Sequence, residues 1–232
     1  MKNEEGLEFL SSVENSSVQL VLTDPPYMIS KIGSGGHKYD HFDTADVFNT
    51  ETLGVFVREW SRVLKPGGTL ICWFDMFKME TLKRLCEETG EFCGRYRVIT
   101  WEKESANNLE IKITYLGWTE YAIVVSKKPS SSVVFNNKRE DGSALGMTGN
   151  FKDKLPRGRE RFHPTQKPLE LFKRLVELHS NAGDTVLDSF FGSGTTALAA
   201  LSTGRKFLGS EMNEEYFQKA VKRVEEHGFT VL

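Results

Sequence analysis

The sequence predicts one α/β domain: an open, mostly parallel sheet with helices packed on both faces. Three observations carry this. Short apolar runs of strand length alternate along the chain with stretches of helical periodicity. The runs stop abruptly at residues that bend the backbone, Asp24-Pro25-Pro26 after one and a glycine-rich turn at 189–194 after another. The 232 residues, 39% hydrophobic and 27% charged, suit a single domain over 1–232 with a buried core and little room for a second.

Each element has its own reason. Val18–Thr23 is an apolar run fit for a strand buried on both faces. Leu53, Phe56, Val57, Trp60, Val63 and Leu64 recur at helical spacing, and Pro66-Gly67-Gly68 closes that helix. A strand at 69–74 and a helix around 76–88 follow. Strands at 96–101 and 121–126 flank a polar loop at 104–108. From 127 to about 162 the periodicity dissolves into Ser, Asn, Gly and charges, which predicts an irregular insertion. Order returns with a helix at 168–180 that places Leu171, Phe172, Leu175, Val176 and His179 on one face. Strands at 185–187 and 206–209 then alternate with helices at 195–202 and 213–226.

Composition removes several classes. The net charge of -2 and pI near 6.3 are not those of a domain that is basic overall. Three cysteines, Cys72, Cys86 and Cys93, form no Cys-x-x-Cys pair, so neither a disulfide framework nor a zinc site is expected. His37, His41 and Asp43 are too loosely spaced for a metal site, and no metal is expected. No stretch has the length and apolarity of a membrane span, and the N-terminus carries no signal-like segment. A soluble, cytoplasmic protein without a membrane partner is the expectation.

Two segments carry chemistry. In Asp188-Ser189-Phe190-Phe191-Gly192-Ser193-Gly194-Thr195, Gly192 and Gly194 allow a tight strand-to-helix turn that a ligand can approach closely. About twenty residues on, Glu211 ends the next strand, where an acid can accept both hydroxyls of a ribose. A dinucleotide turn would want a third glycine where Ala197 stands, and a phosphate loop would want a lysine that is absent. Asp188 would repel a pyrophosphate; a nucleoside carrying a positive sulfonium suits this turn better.

The second segment is Asp24-Pro25-Pro26-Tyr27, placed at the C-terminal end of a predicted buried strand, where open α/β sheets bind ligands. An exocyclic amine is a poor nucleophile because its lone pair is delocalised into the ring. Acceptors on its protons stabilise the charge that develops during attack. Asp24 can supply one and the Pro25 carbonyl another, while Pro25 and Pro26 stiffen the backbone that carries them. Tyr27 offers a face on which an extruded base can stack.

Together these segments resemble the β-group of amino-methylating DNA methyltransferases, in which the catalytic tetrapeptide precedes the cofactor motif. Leu64-Lys65-Pro66-Gly67-Gly68, Trp101-Glu102-Lys103 and His163-Pro164-Thr165-Gln166-Lys167-Pro168 extend the match in the same order. The resemblance implies a Rossmann-like sheet of seven strands with one reversed hairpin, at 96–101 and 121–126. It implies S-adenosylmethionine as cofactor, in a pocket lined by Asp188, Phe190, Gly192, Gly194 and Glu211. Thr165, Gln166 and Lys167 would lie near the methionine end, with Lys167 pairing its carboxylate. Relatives commonly carry Gly-Asp ahead of the stretch matching Leu7-Glu8-Phe9-Leu10; here Glu5 stands in for that acid.

The implied reaction is site-specific methylation of N6 of a flipped adenine in double-stranded DNA. N4 of cytosine is the alternative within the class, although relatives acting on cytosine more often begin the tetrapeptide with Ser. RNA or protein amide methylation is disfavoured by the motif order. A catalytically silent DNA-binding or specificity subunit is the alternative of another class, and Asp24 and Tyr27 argue against it. The resemblance further suggests a prokaryotic or phage origin, a second copy of the chain as partner, and a companion restriction endonuclease.

Lys152, Lys154, Arg157, Arg159 and Arg161 crowd one segment with Asp153 and Glu160 opposing, a pattern suited to phosphate contacts. The segment 128–162 is thus the candidate target-recognition region, with Asn136, Asn137, Lys138 or Arg139 as base readers. The glycine-rich 31–36 is a candidate lid, and Trp101 and Trp118 are expected in the core.

Overall fold

A computed structural model of the protein describes residues 1–26, 48–104, 119–138, 141–143, 145–156, 158 and 161–231. Among them runs a seven-stranded sheet: β1 (Val18–Thr23), β2 (Leu64–Phe74), β3 (Arg97–Glu104), β4 (Thr119–Ser126), β5 (Asn150–Lys154), β6 (Thr185–Asp188) and β7 (Lys206–Gly209). Their spatial order is β5-β3-β4-β2-β1-β6-β7. Strand β4 is antiparallel to both of its neighbours, and the other pairings are parallel. The expected reversed hairpin is therefore a single reversed strand, with β3 running in the common direction.

Helices α1 (Gly6–Ser11), α2 (Thr50–Val63) and α3 (Met79–Glu88) cover one face, where Val21, Leu53, Trp60, Leu70 and Cys86 share a core. Helices α4 (Leu169–His179) and α5 (Thr195–Ser202) cover the other, around Leu20, Leu22, Trp73, Trp101 and Phe172. Helix α6 (Glu214–Glu226) packs Ala220 and Val224 against α5 and Phe191. Every residue of β1 is buried, as a central strand covered on both faces requires.

The connections place the site. The chain leaves β1 for β2 through a helix on the first face and leaves β6 for β7 through α5 on the second. Since β1 and β6 are parallel neighbours, with Leu20 opposite Val186 and Val21 opposite Leu187, the winding reverses between them. A crevice opens at such a switch point beyond the C-terminal strand ends.

The structure differs from the sequence reading in several elements; β3 runs on to Glu104 and β4 starts at Thr119, past the expected limits at 101 and 121. Pro66-Gly67-Gly68 does not separate helix from strand; β2 begins at Leu64 and carries this stretch, with an irregularity in its register against β1 between Val18 and Leu20. The 127–162 segment is not irregular throughout. Asn150–Lys154 forms β5 at the sheet edge, held by parallel pairing to β3 and by the Trp101 indole donating to the Asp153 carbonyl at 3.0 Å. Helix α1 is an addition to the elements expected from periodicity: it has six residues and its N-cap is Glu5, whose carboxylate accepts from the Leu7 and Glu8 amides at 2.8 and 3.2 Å.

Candidate active site

At the end of β6, Asp188 is buried and tied into the turn that follows. Its carboxylate accepts from Thr23 Oγ1 at 2.8 Å, from the Phe190 amide at 3.0 Å and from Thr196 Oγ1 at 2.6 Å. These bonds connect the ends of β1 and β6 and the first turn of α5. Burial pushes the Asp188 carboxyl up to about 6, against the pull of those donors. These three donors are neutral.

The turn itself depends on its glycines. Gly192 has φ 50° and Gly194, the N-cap of α5, has φ 75°, both in the left-handed region. A Cβ on Gly194 would lie 3.3 Å from the Ala220 methyl carbon. Behind the turn, the buried Trp60 indole donates to Ser189 Oγ at 3.0 Å, and Phe190 packs on Phe48 and Phe56 with centroids 5.5 and 4.8 Å away. Glu211 closes it from β7's end: Oε2 accepts from the Gly192 amide at 2.9 Å and Oε1 from the Asn213 amide at 2.9 Å. Each oxygen keeps a second lone pair, so both can still accept a ligand hydroxyl. Burial raises the Glu211 carboxyl, opposed by the two amides.

Asp24 meets this turn. The alternation that sends Leu20 and Leu22 to the α4 face sends Asp24 there too, just past the end of β1. A cleft is lined by Asp24, His163, Thr165, Lys167, Asp188, Phe190, Phe191, Ser193 and Thr195 together. The Thr23–Asp188 bond bridges 165 positions of sequence, so the segments that hold Asp24 and Asp188 meet at one end of the sheet.

Lys167, 4% exposed, ion-pairs with Asp24 and, at 2.9 Å, with Glu120 Oε2. Its Nζ also lies 5.7 Å from the centre of the Trp73 ring. Glu120 is held in turn by Lys103 at 2.8 Å. Burial pushes the Glu120 carboxyl up, but Lys167 and Lys103 outweigh it and hold it below the usual carboxylate range. Beside them, burial and the Lys167 charge lower His163 to about 4, so its ring is neutral at pH 7. His163 packs edge-on to Tyr216 at 4.5 Å, and Thr165 Oγ1 lies 3.2 Å from its Nδ1.

The profile of the DNA methylase family matches residues 18–222. The chain belongs to the DNA methylase family. Type II methyltransferase M2.DpnII of Streptococcus pneumoniae is 31% identical over 94% of this chain and 86% of its own length. DNA adenine methyltransferase YhdJ of Escherichia coli K12 is 30% identical over 95% of this chain and 81% of its own. Among solved structures, the M1.HpyAVI–SAM complex superposes with a TM-score of 0.71 at 27% identity, over 96% of this chain and 97% of that one. With Asp24-Pro25-Pro26-Tyr27 ahead of the glycine turn at 189–194, this DNA methylase has the β-group order.

The structure brings Asp24, Thr165, Lys167, Asp188 and Phe190 of the methylase to one cleft, with Glu211 bonded to its turn. Pro25 is buried and Pro26 half-buried at the end of β1. Gln166 is buried, its side-chain oxygen 3.4 Å from the Phe162 amide. Lys167, expected on a cofactor carboxylate, has its ammonium on two protein carboxylates. Glu5, expected near the cofactor, has a carboxylate oxygen capping α1. Of the basic group, Lys152 and Lys154 lie on edge strand β5, Lys152 paired with Glu102 at 3.1 Å, and Arg161 donates to the Pro164 carbonyl at 2.8 Å. Asn136 does not stand free as a base reader: its amide donates to the Glu177 and Ser180 carbonyls, each at 2.9 Å. Tyr27, Arg157, Arg159, Arg139, Trp118, the 31–36 lid, His37, His41 and Asp43 lie outside the described residues. Trp101 is in the core, 1% exposed. Glu120 escapes a reading by periodicity, because the apolar run starts at Tyr121; its signal is an acid and Lys103 each just beyond the limits of two strands expected to pair.

Proposed function

We propose that this DNA methylase transfers the methyl group of S-adenosylmethionine to N6 of adenine in duplex DNA. The observation that carries the reading is the shared cleft of Asp24 and the Asp188–Thr195 turn at the switch point between β1 and β6. Two features favour adenine over N4 of cytosine: the tetrapeptide opens with Asp, and a relative at 30% identity is named a DNA adenine methyltransferase.

The residues fit the cofactor chemically. Asp188, a buried carboxylate ringed by neutral donors, suits a cationic ligand. Glu211 has lone pairs for ribose hydroxyls, and Phe190 offers an aromatic wall. Thr165 and Gln166 flank the methionine end, and Glu5 the adenine end. Bound S-adenosylmethionine supplies an electrophilic methyl on a cationic sulfur. Asp24 accepts a hydrogen bond from the exocyclic amine and stabilises positive charge as the nitrogen attacks. The Pro25 carbonyl is the second acceptor, and Tyr27 stacks on a base swung out of the duplex.

Lys152, Lys154, Arg157, Arg159 and Arg161 contact phosphates, within a target-recognition region at 128–162 of a single-domain chain. A second copy of the chain and a companion restriction endonuclease are proposed partners. A cytoplasmic site of action is proposed with them; no helix among the described residues is long and apolar enough to cross a membrane.

The test is transfer of label from tritiated S-adenosylmethionine to unmethylated DNA, followed by mass analysis of the nucleosides. N6-methyladenine is expected. N4-methylcytosine would establish the rival base, and no incorporation with cofactor binding intact would establish the silent subunit. Asp24→Ala should cut the rate by about 10²-fold or more while cofactor affinity holds.

A further inference from the structure

The Lys103–Glu120–Lys167–Asp24 chain of charges has no assigned role beyond its end at Asp24. It is assembled from four separate parts of the fold: β3, β4, the segment entering α4, and the end of β1. Trp101 and Glu120 are directly opposite in the β3–β4 ladder, so Lys103, two residues along, is a diagonal neighbour of Glu120 on the same face. This is the face that Leu20, Leu22 and Asp24 share and that α4 covers. Lys167 drops into the gap between the two carboxylates, with the Trp73 ring as a further wall.

Two positive and two negative groups balance here, and none is exposed by more than 21% of its side chain. Such a set is costly to assemble and fixes geometry closely, because displacing one member leaves another charge uncompensated in a poor solvent for it. A lysine facing Asp24 alone would draw the carboxylate toward itself and weaken it as an acceptor. Sharing that ammonium with Glu120 lessens the pull and leaves the Asp24 carboxylate a stronger acceptor for the incoming amine.

We propose that Glu120, acting through Lys167, is a positioning residue that sets the orientation and acceptor strength of Asp24. The inference rests on the reading of Asp24 as the acceptor for the target amine. Neither Glu120 nor Lys167 touches the reacting atoms; both act on rate through Asp24, and neither anchors the cofactor.

The experiment compares Glu120→Gln, Lys167→Arg, Lys167→Met and Asp24→Asn in the full chain. It measures single-turnover methylation of unmethylated genomic DNA and S-adenosylmethionine affinity by calorimetry. Glu120→Gln, which keeps shape and removes charge, should slow transfer about 10- to 100-fold, with cofactor Kd changed by less than about threefold. Lys167→Arg should retain more activity than Lys167→Met. Wild-type transfer in Glu120→Gln would overturn the inference. So would a rise in cofactor Kd in Lys167→Met that matches its loss of rate, since that is the behaviour of a cofactor anchor. If Lys167→Met does not fold, Glu120→Gln and Lys167→Arg decide, with thermal melting to confirm their fold. An Asp24→Asn variant that methylates normally would instead remove the parent reading. Inactive Asp24→Asn beside unimpaired Glu120→Gln would remove this inference alone.

Discussion

Replacing Asp188 with Asn should make the cofactor-free protein more stable and the enzyme worse. The Asp188 carboxyl is raised from an ordinary 3.8 to about 6 by burial, so its charged form is disfavoured in the folded state. A carboxyl shifted upward favours folding fully below its unfolded value, and that contribution is lost as pH rises from 3.8 through 6. Above pH 6 the folded protein carries an ionised group it would rather not bury. The gap of about two units corresponds to a ceiling of about 3 kcal/mol.

Asn keeps the bonding pattern: its carbonyl can accept from Thr23 Oγ1 and the Phe190 amide, and its NH2 can donate to a reoriented Thr196 hydroxyl. A gain of about 1–3 kcal/mol at pH 7.5 would raise Tm by about 2–12 °C. At pH 4.5 the gain should shrink to about a third. In exchange, the charge-assisted contact proposed between Asp188 and a cationic ligand would be lost, weakening S-adenosylmethionine binding by about 10- to 100-fold. Thermal melts at the two pH values and calorimetric titration give both readings. A lower Tm at pH 7.5, or undiminished affinity, would refute the reasoning.

Further outcomes follow from the same geometry. Gly194→Ala places a side chain at φ 75° and a methyl 3.3 Å from Ala220, and should cost about 1–3 kcal/mol in urea unfolding. Trp60→Phe removes the indole bond to the buried Ser189 hydroxyl and should lower stability by about 1–3 kcal/mol in the same assay. Replacing Lys152 and Lys154 together with Ala should reduce the slope of log K for DNA against log salt by about 1 for each phosphate no longer neutralised, leaving cofactor affinity unchanged.

What the sequence discloses tracks where burial and turn chemistry act locally. β7 and α5 have the limits read from periodicity, because Lys206 and Thr195 each follow glycine-bearing turns that mark the boundary. Strand β1 is legible because it is a mostly apolar run, buried at every position, that stops just before Asp24 and two prolines. The convergence of Asp24 with Asp188 is legible only as an expectation of topology, since the bond between Thr23 and Asp188 crosses most of the chain. Strand β5 is hidden: Phe151 is its buried residue, set among Lys152, Asp153 and Lys154, and its pairing comes from β3. The short α1 is hidden because an acidic Glu5, rather than Asn, Asp, Ser or Thr, caps it. Lys167 is recognisable as a site residue, but its partners come from β1 and β4, and no local pattern announces them.

A structure with S-adenosylmethionine bound tests the central claim most directly, through the path from the transferable methyl carbon to Asp24. The methyl is expected to point over the end of β1, with room for one amine nitrogen between it and the Asp24 carboxylate. A methyl directed away from β1, or a cofactor seated at the opposite edge of the sheet, would contradict it.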